Sequence, residues 1–109
     1  MKSFRHRLPP LTSLLVFEAA ARAGNFTAAA RELHVSQAAV SKQIMQLEEH
    51  LGVPLFLRSG RRVSLTSQGE QLQQRVNASF NYLADAVEGI AQKNERRPVL
   101  TLSANTAVS

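Results

Sequence analysis

The 109-residue chain contains no cysteine. That absence excludes disulfide scaffolds, thiolate metal sites, cysteine nucleophiles and a thiol redox switch, and it suits a reducing cytoplasmic setting. Long apolar runs are missing as well. The stretch Leu14 to Phe17 falls far short of the roughly 20 residues that span a bilayer, so neither a signal peptide nor a membrane anchor is expected. Histidine is scarce: His6, His34 and His50 are not spaced as a metal pair and stand beside no plausible nucleophile and acid. With no glycine-rich phosphate loop either, the reading is a non-enzyme with no catalytic residues, no metal and no cofactor.

What is present is charge of one sign in one place. The formal net charge is +5, and it arises entirely before Thr66, where nine Lys/Arg face only Glu18, Glu32, Glu48 and Glu49; the remainder is neutral. A basic domain joined to a neutral helical one points to a polyanion partner for the first and a protein partner for the second. Charge alone leaves a generic solvated surface equally open. The apolar content, 44%, suits one small domain with an appendage.

Along the chain, Met1 to Pro10 carries Lys2, Arg5, His6 and Arg7 and ends in Pro9-Pro10, which reads as a flexible basic arm. Leu11, Leu14, Phe17 and Ala21 predict a first helix stopped by Gly24. Thr27 is the expected cap of a short second helix, with Phe26 outside it and Ala30 and Leu33 inside. After a break at His34-Val35-Ser36, the connection length of a helix-turn-helix, Ser36 caps a third helix. Its apolar stripe is Val40, Ile44, Leu47 and Leu51, and Gly52 and Pro54 end it. Leu55 to Arg58 and Arg62 to Leu65 flank Ser59-Gly60-Arg61 as a small β-hairpin, which must dock through Leu55, Phe56 and Leu65 because isolated hairpins are marginal.

From Thr66 nothing but Gly69 and Gly89 interrupts helix until Pro98. Val76, Leu83 and Ile90 recur at seven, with Leu72, Phe80 and Val87 beside them, which is the spacing of a seam between two helices. So small a domain cannot cover that seam, and dimerisation is the expected use. Val99 to Ser103 reads as a strand without a partner, expected to open a further domain of a longer protein. The organisation is therefore a mainly α winged helix-turn-helix over residues 1–65, a dimerisation helix over 66–94, and a hinge with a first strand over 95–109.

The run through Phe17, Phe26-Thr27, Ala29-Ala30, Leu33, Val35-Ser36-Gln37, Val40-Ser41, Gln43-Ile44, Leu47-Glu48, Leu51-Gly52, Leu55-Phe56, Arg58, Leu65-Thr66 and Gly69 resembles the N-terminal domain of LysR-type transcriptional regulators, in register and without gaps from Leu11 to Gly69. The resemblance implies a bacterial, cytoplasmic regulator of transcription with a linker helix pairing two subunits as an antiparallel coiled coil. It also implies a C-terminal effector-binding domain, beyond this chain, as the sole receptor of a small-molecule effector; full-length family members usually assemble as tetramers, a state the resemblance does not transfer to this chain.

Gln37, Ala38, Ser41 and Lys42 match the family positions that read DNA, at the start of a recognition helix spanning residues 37–51. Gln37 can pair with an adenine edge, Ala38 can meet a thymine methyl, Ser41 can bond base or phosphate, and Lys42 can reach guanine or the backbone. Without the surrounding pattern these would be ordinary solvated residues. Family members often carry proline or serine at position 38 and arginine at 42, so the preferred bases are left open; lysine offers a point charge in place of a fork. Ser36 and Thr27 at helix starts, Arg31, and the hairpin's Arg58, Arg61 and Arg62 are the expected phosphate contacts, the hairpin meeting the backbone or a minor groove. Arg31 could instead pair with an acid and Arg58 could be structural. Glu48 and Glu49 sit near a helix C-terminus that disfavours acids, so ion pairs with Arg22 or Arg31 are expected. The rival reading is a protein-interaction module with the helix-turn-helix as mere scaffold; a scaffold has no need of positive charge confined to one domain.

Overall fold

The structure, a computed structural model, describes residues 2–96. The strand expected at Val99 to Ser103 lies outside the described residues. Five helices and one hairpin follow in chain order: α1 Phe4–Arg7, α2 Leu11–Ala23, α3 Phe26–Leu33, α4 Gln37–Leu51, β1 Phe56–Ser59, β2 Arg62–Leu65 and α5 Ser67–Arg96. The chain divides into two units, Met1–Asn77 and the segment from Ala78 onward.

The expected flexible arm contains a single helical turn, α1. Arg7 lies 5.4 Å from the centroid of the Phe4 ring, and Ser3 Oγ is 3.1 Å from His6 Nδ1. The proline pair limits the turn: Leu8, preceding Pro9, is forced into extended backbone.

The core of the first unit is α2, α3 and α4 packed pairwise on one another. Helix α2 buries Ser13, Leu14, Val16, Phe17, Ala19 and Ala20, a wider face than the expected stripe; Leu11 is exposed and Ala21 only half-buried. Two helices pack on α2, so its small residues are buried along with its large ones, and an apolar-only pattern misses Ser13. Gly24 ends α2 in the left-handed region at φ 68°.

The cap of α3 is Asn25, whose Oδ1 accepts from the Ala28 N–H at 2.9 Å, so Thr27 is the second residue of the helix rather than its cap. The shift of two residues places Phe26 inside the helix and buries it, edge-on to Phe56 with ring centroids 5.3 Å apart. Helix α3 closes with the Val35 N–H donating to the Ala30 carbonyl at 3.0 Å and the His34 N–H to the Arg31 carbonyl at 3.3 Å. In this Schellman arrangement His34 takes the left-handed position, φ 59°, usually given to glycine.

Ser36 caps α4 as expected, its Oγ accepting from the Ala39 N–H at 3.0 Å. Val40, Ile44 and Leu47 are buried, whereas Leu51, expected as the fourth member of the stripe, is exposed at the helix end beside Gly52. Among the described residues Glu48 makes no ion pair. Its Oε2 accepts from the backbone N–H groups of Leu55 at 2.8 Å and Phe56 at 3.3 Å, tying α4 to the start of the hairpin. Arg22 pairs instead with Glu18 at 2.7 Å and Glu32 at 2.6 Å.

The hairpin is antiparallel, pairing Phe56 with Leu65 and Ser59 with Arg62 around a two-residue turn, Gly60-Arg61. It docks through buried Leu55 and Phe56, half-buried Leu65, and a backbone bond from the Val63 N–H to the Gly24 carbonyl at 3.1 Å. Thr66 caps α5: its Oγ1 accepts from the Gly69 N–H at 3.0 Å and its hydroxyl donates to the Pro54 carbonyl at 2.8 Å. Val76 is buried within the first unit, which removes it from the expected seam.

Candidate nucleic-acid interface

Three elements meet at an open cleft of about 540 Å³. Asn25, Phe26, Thr27 and Ala28 bring the start of α3 to it and Arg31 a later turn of the same helix, Gln37 the start of α4, and Arg58, Gly60, Arg61 and Val63 the hairpin. The fold thus gathers five of the expected site residues, Thr27, Arg31, Gln37, Arg58 and Arg61. Ser36, Ala38, Ser41, Lys42 and Arg62 do not line it. Ala38 and Lys42 are exposed on α4 and Ser41 is half-buried there; Arg62 is exposed on β2. The Ser36 oxygen is engaged in the cap, which leaves its proton for donation.

Among the described residues no acid lines this cleft. Among the described residues the ion pairs are those of Arg22, whose guanidinium is raised further above its ordinary pKa by the hydrogen bond to Glu18 and then by that to Glu32. Glu32 in turn is held below the usual carboxylate range by its hydrogen bond from Arg22. Two of the four acids before Thr66 therefore neutralise a cation away from the cleft, and a third, Glu48, accepts from backbone. Among the described residues Arg31, Arg58 and Arg61 form no ion pair. The N-terminus of α3, with the positive end of its dipole, adds to the same potential.

Several contributors were not read from sequence. Asn25 was a capping residue in plain view, two positions before the expected cap. Phe26 joins the cleft by lying under Arg58, whose Cζ stands 4.9 Å from the ring centroid. Ser13 is buried and its Oγ donates to Gln43 Oε1 at 2.7 Å, a polar tie between α2 and α4 that no spacing announces. Among the described residues no cluster of three or more His, Cys, Asp or Glu could hold a metal, and no helix is long and apolar enough to cross a membrane.

Helix-turn-helix, hairpin wing and long following helix together define a winged-helix domain. Residues 11–70 match the model of the bacterial regulatory helix-turn-helix proteins of the lysR family, and the chain belongs to that family. It is 45% identical over 97 residues to the glycine cleavage system transcriptional activator of Escherichia coli K12, an alignment covering 89% of this chain and 32% of that protein. The chain therefore spans about a third of the length of that relative. Among solved structures it is similar to the DNA-binding domain of CbnR in its DNA complex, with a TM-score of 0.67 and 35% identity over 81% of this chain and 100% of that one. A second similar structure is the DNA-binding domain of BenM with benA site 1 DNA, TM-score 0.71, 29% identity, covering 82% of this chain and all (100%) of that one.

Proposed function

We propose that the chain is the DNA-reading part of a dimeric LysR-type transcriptional regulator and binds duplex DNA in a sequence-dependent way. The observation that carries this reading is the convergence of Thr27, Arg31, Gln37, Arg58 and Arg61 from three elements on one acid-free cleft, beside a start of α4 where Gln37, Ala38 and Lys42 stand exposed. The first turns of α4 enter the major groove, where Gln37, Ala38, Ser41 and Lys42 reach base edges. Thr27, Ser36, Arg31 and the wing arginines Arg58, Arg61 and Arg62 hold the sugar-phosphate walls and set the register. The similar domains of CbnR and BenM, solved with DNA, support the reading.

Pairing runs through α5, where Leu83, Val87 and Ile90 are 59%, 64% and 67% exposed at heptad spacing, with Phe80 and Leu72 half-buried on the same row. In the intact regulator a separate C-terminal domain receives the small-molecule effector. The protein works in the cytoplasm as a binding protein rather than an enzyme.

The test is retention on duplexes selected from random DNA. Bound sequences should contain two half-sites related by a dyad and spaced by about one helical turn or a multiple of it. If the dimer neutralises about eight phosphates, log affinity should fall with log salt at a slope near −7. Replacing Arg61 and Arg62 together by alanine should cost about tenfold or more at moderate salt and make the slope shallower. A folded protein that ignores duplexes of every composition in dilute buffer overturns the reading.

A further inference from the structure

Arg58 is the cleft arginine with a defined seat. It stands two residues after Phe56 on β1, so strand alternation puts both side chains on one face of the wing. That face meets Phe26. The Phe56 ring is edge-on to Phe26 at 5.3 Å and tilted against Phe17 at 5.5 Å, while the Arg58 guanidinium carbon lies over Phe26 at 4.9 Å. Phe17, Phe56 and Phe26 are all buried. A row of aromatic rings thus runs from the core to the floor of the cleft and ends under one cation.

From this we infer that Phe26 is a positioning residue for DNA binding: its ring holds the Arg58 guanidinium in place before a phosphate arrives. The inference rests on the DNA-binding reading of the same cleft. Attraction between a cation and a ring face is electrostatic and uses no hydrogen-bond acceptor, so the N–H fork of Arg58 keeps its donors for an anion. No carboxylate competes, since among the described residues the acids in ion pairs are Glu18 and Glu32, both on Arg22. A long side chain immobilised on binding costs affinity. Seating Arg58 on a ring already fixed by the core lowers that cost, whereas Arg61, in the exposed turn, has no ring beneath it among the described residues.

The experiment is a double-mutant cycle on the whole chain with a selected duplex, comparing wild type, Phe26→Leu, Arg58→Ala and the pair. Phe26→Leu should weaken binding about two- to fivefold and leave the salt slope unchanged, because no charge is removed. Arg58→Ala should weaken binding and make the slope shallower by about 0.9 for each phosphate that Arg58 neutralises. In the Arg58→Ala background Phe26→Leu should have no further effect on affinity. An equal loss in both backgrounds means Phe26 acts only through stability and overturns the inference. If wild type binds no duplex, the functional reading itself falls, a separate outcome. Should Phe26→Leu fail to fold, NMR of the Arg58 Nε–H in the wild-type chain decides. Its Nε should be more ordered than that of Arg61 and its proton shifted by the ring current; equal mobility of the two overturns the inference.

Discussion

Val76 and Leu83 stand seven residues apart on one helix, in the same place of the same repeat, yet Val76 is 6% exposed and Leu83 59%. The two glycines of α5 differ in the same sense. A Cβ on Gly69 would collide with the Leu55 carbonyl oxygen and come within 2.9 Å of Leu65 Cδ2, whereas one on Gly89 would meet nothing within 4 Å among the described residues. Periodicity alone treats these pairs as equivalent. Helix α5 is therefore divided: up to Asn77 it belongs to the winged-helix unit, and from Ala78 it carries the exposed apolar row proposed above as the pairing surface. Substitutions in its first part should change the stability of the domain, and substitutions in its later part should change assembly.

Gly69→Ala is the strongest attempt to break this division. The added methyl meets backbone, which cannot swing aside, and the struck carbonyl already accepts from the Thr66 N–H at 3.0 Å at the start of the helix. Either α5 moves off the wing or that bond breaks, and the cost should be about 3 kcal/mol. Denaturant unfolding should show it as a lower midpoint, independent of protein concentration. A loss under about 1 kcal/mol would mean that the helix start tolerates movement, and that Gly69 is not required for close approach.

The Val76 and Leu83 pair sharpens the contrast. Val76→Ala removes two methyl groups from a closed site and should cost the domain roughly 2 kcal/mol at any concentration. Leu83→Ala should leave the unfolding of the dilute chain within about 0.5 kcal/mol of wild type. Its effect should appear in sedimentation, as a dimer dissociation constant raised about tenfold or more. If Leu83→Ala sediments as wild type does, the row from Ala78 onward is not the pairing surface.

Much of the first unit was legible because its signals are local and chemically narrow. Ser36 as the cap before α4, and Gly24 and Gly52 as left-handed stops, are signals of that kind, and the structure uses each of them so. Errors came where two residues could do the same task or where partners were distant. Asn25 and Thr27 are both good caps, and burial of Phe26 decides between them by drawing that residue into the helix. The acid near the end of α4 invited an ion pair, but a loop turning back over α4 offers two N–H groups that Glu48 satisfies. No sequence spacing reveals that Leu55 returns there. Of the site, the residue types and their elements were legible; the cleft that joins Thr27, Arg31, Gln37, Arg58 and Arg61 was not, because it depends on the wing's docking at Gly24.

Gly89→Ala has the smallest expected effect and the opposite sign. Gly89 lies one residue before Ile90 and two after Val87, an outward position of the heptad, and its surroundings are open. Glycine inside a helix costs about 1 kcal/mol relative to alanine, through the extra backbone freedom of the unfolded chain. Alanine should therefore raise far-UV helicity and, because the helix must be formed to pair, tighten the dimer by up to about thirtyfold, a conversion of about 1 kcal/mol for each of the two copies. The thermal midpoint of the winged-helix unit should stay where it was. A weaker dimer would place position 89 inside the seam, where a methyl obstructs close approach, and would rotate the pairing face away from Leu83, Val87 and Ile90.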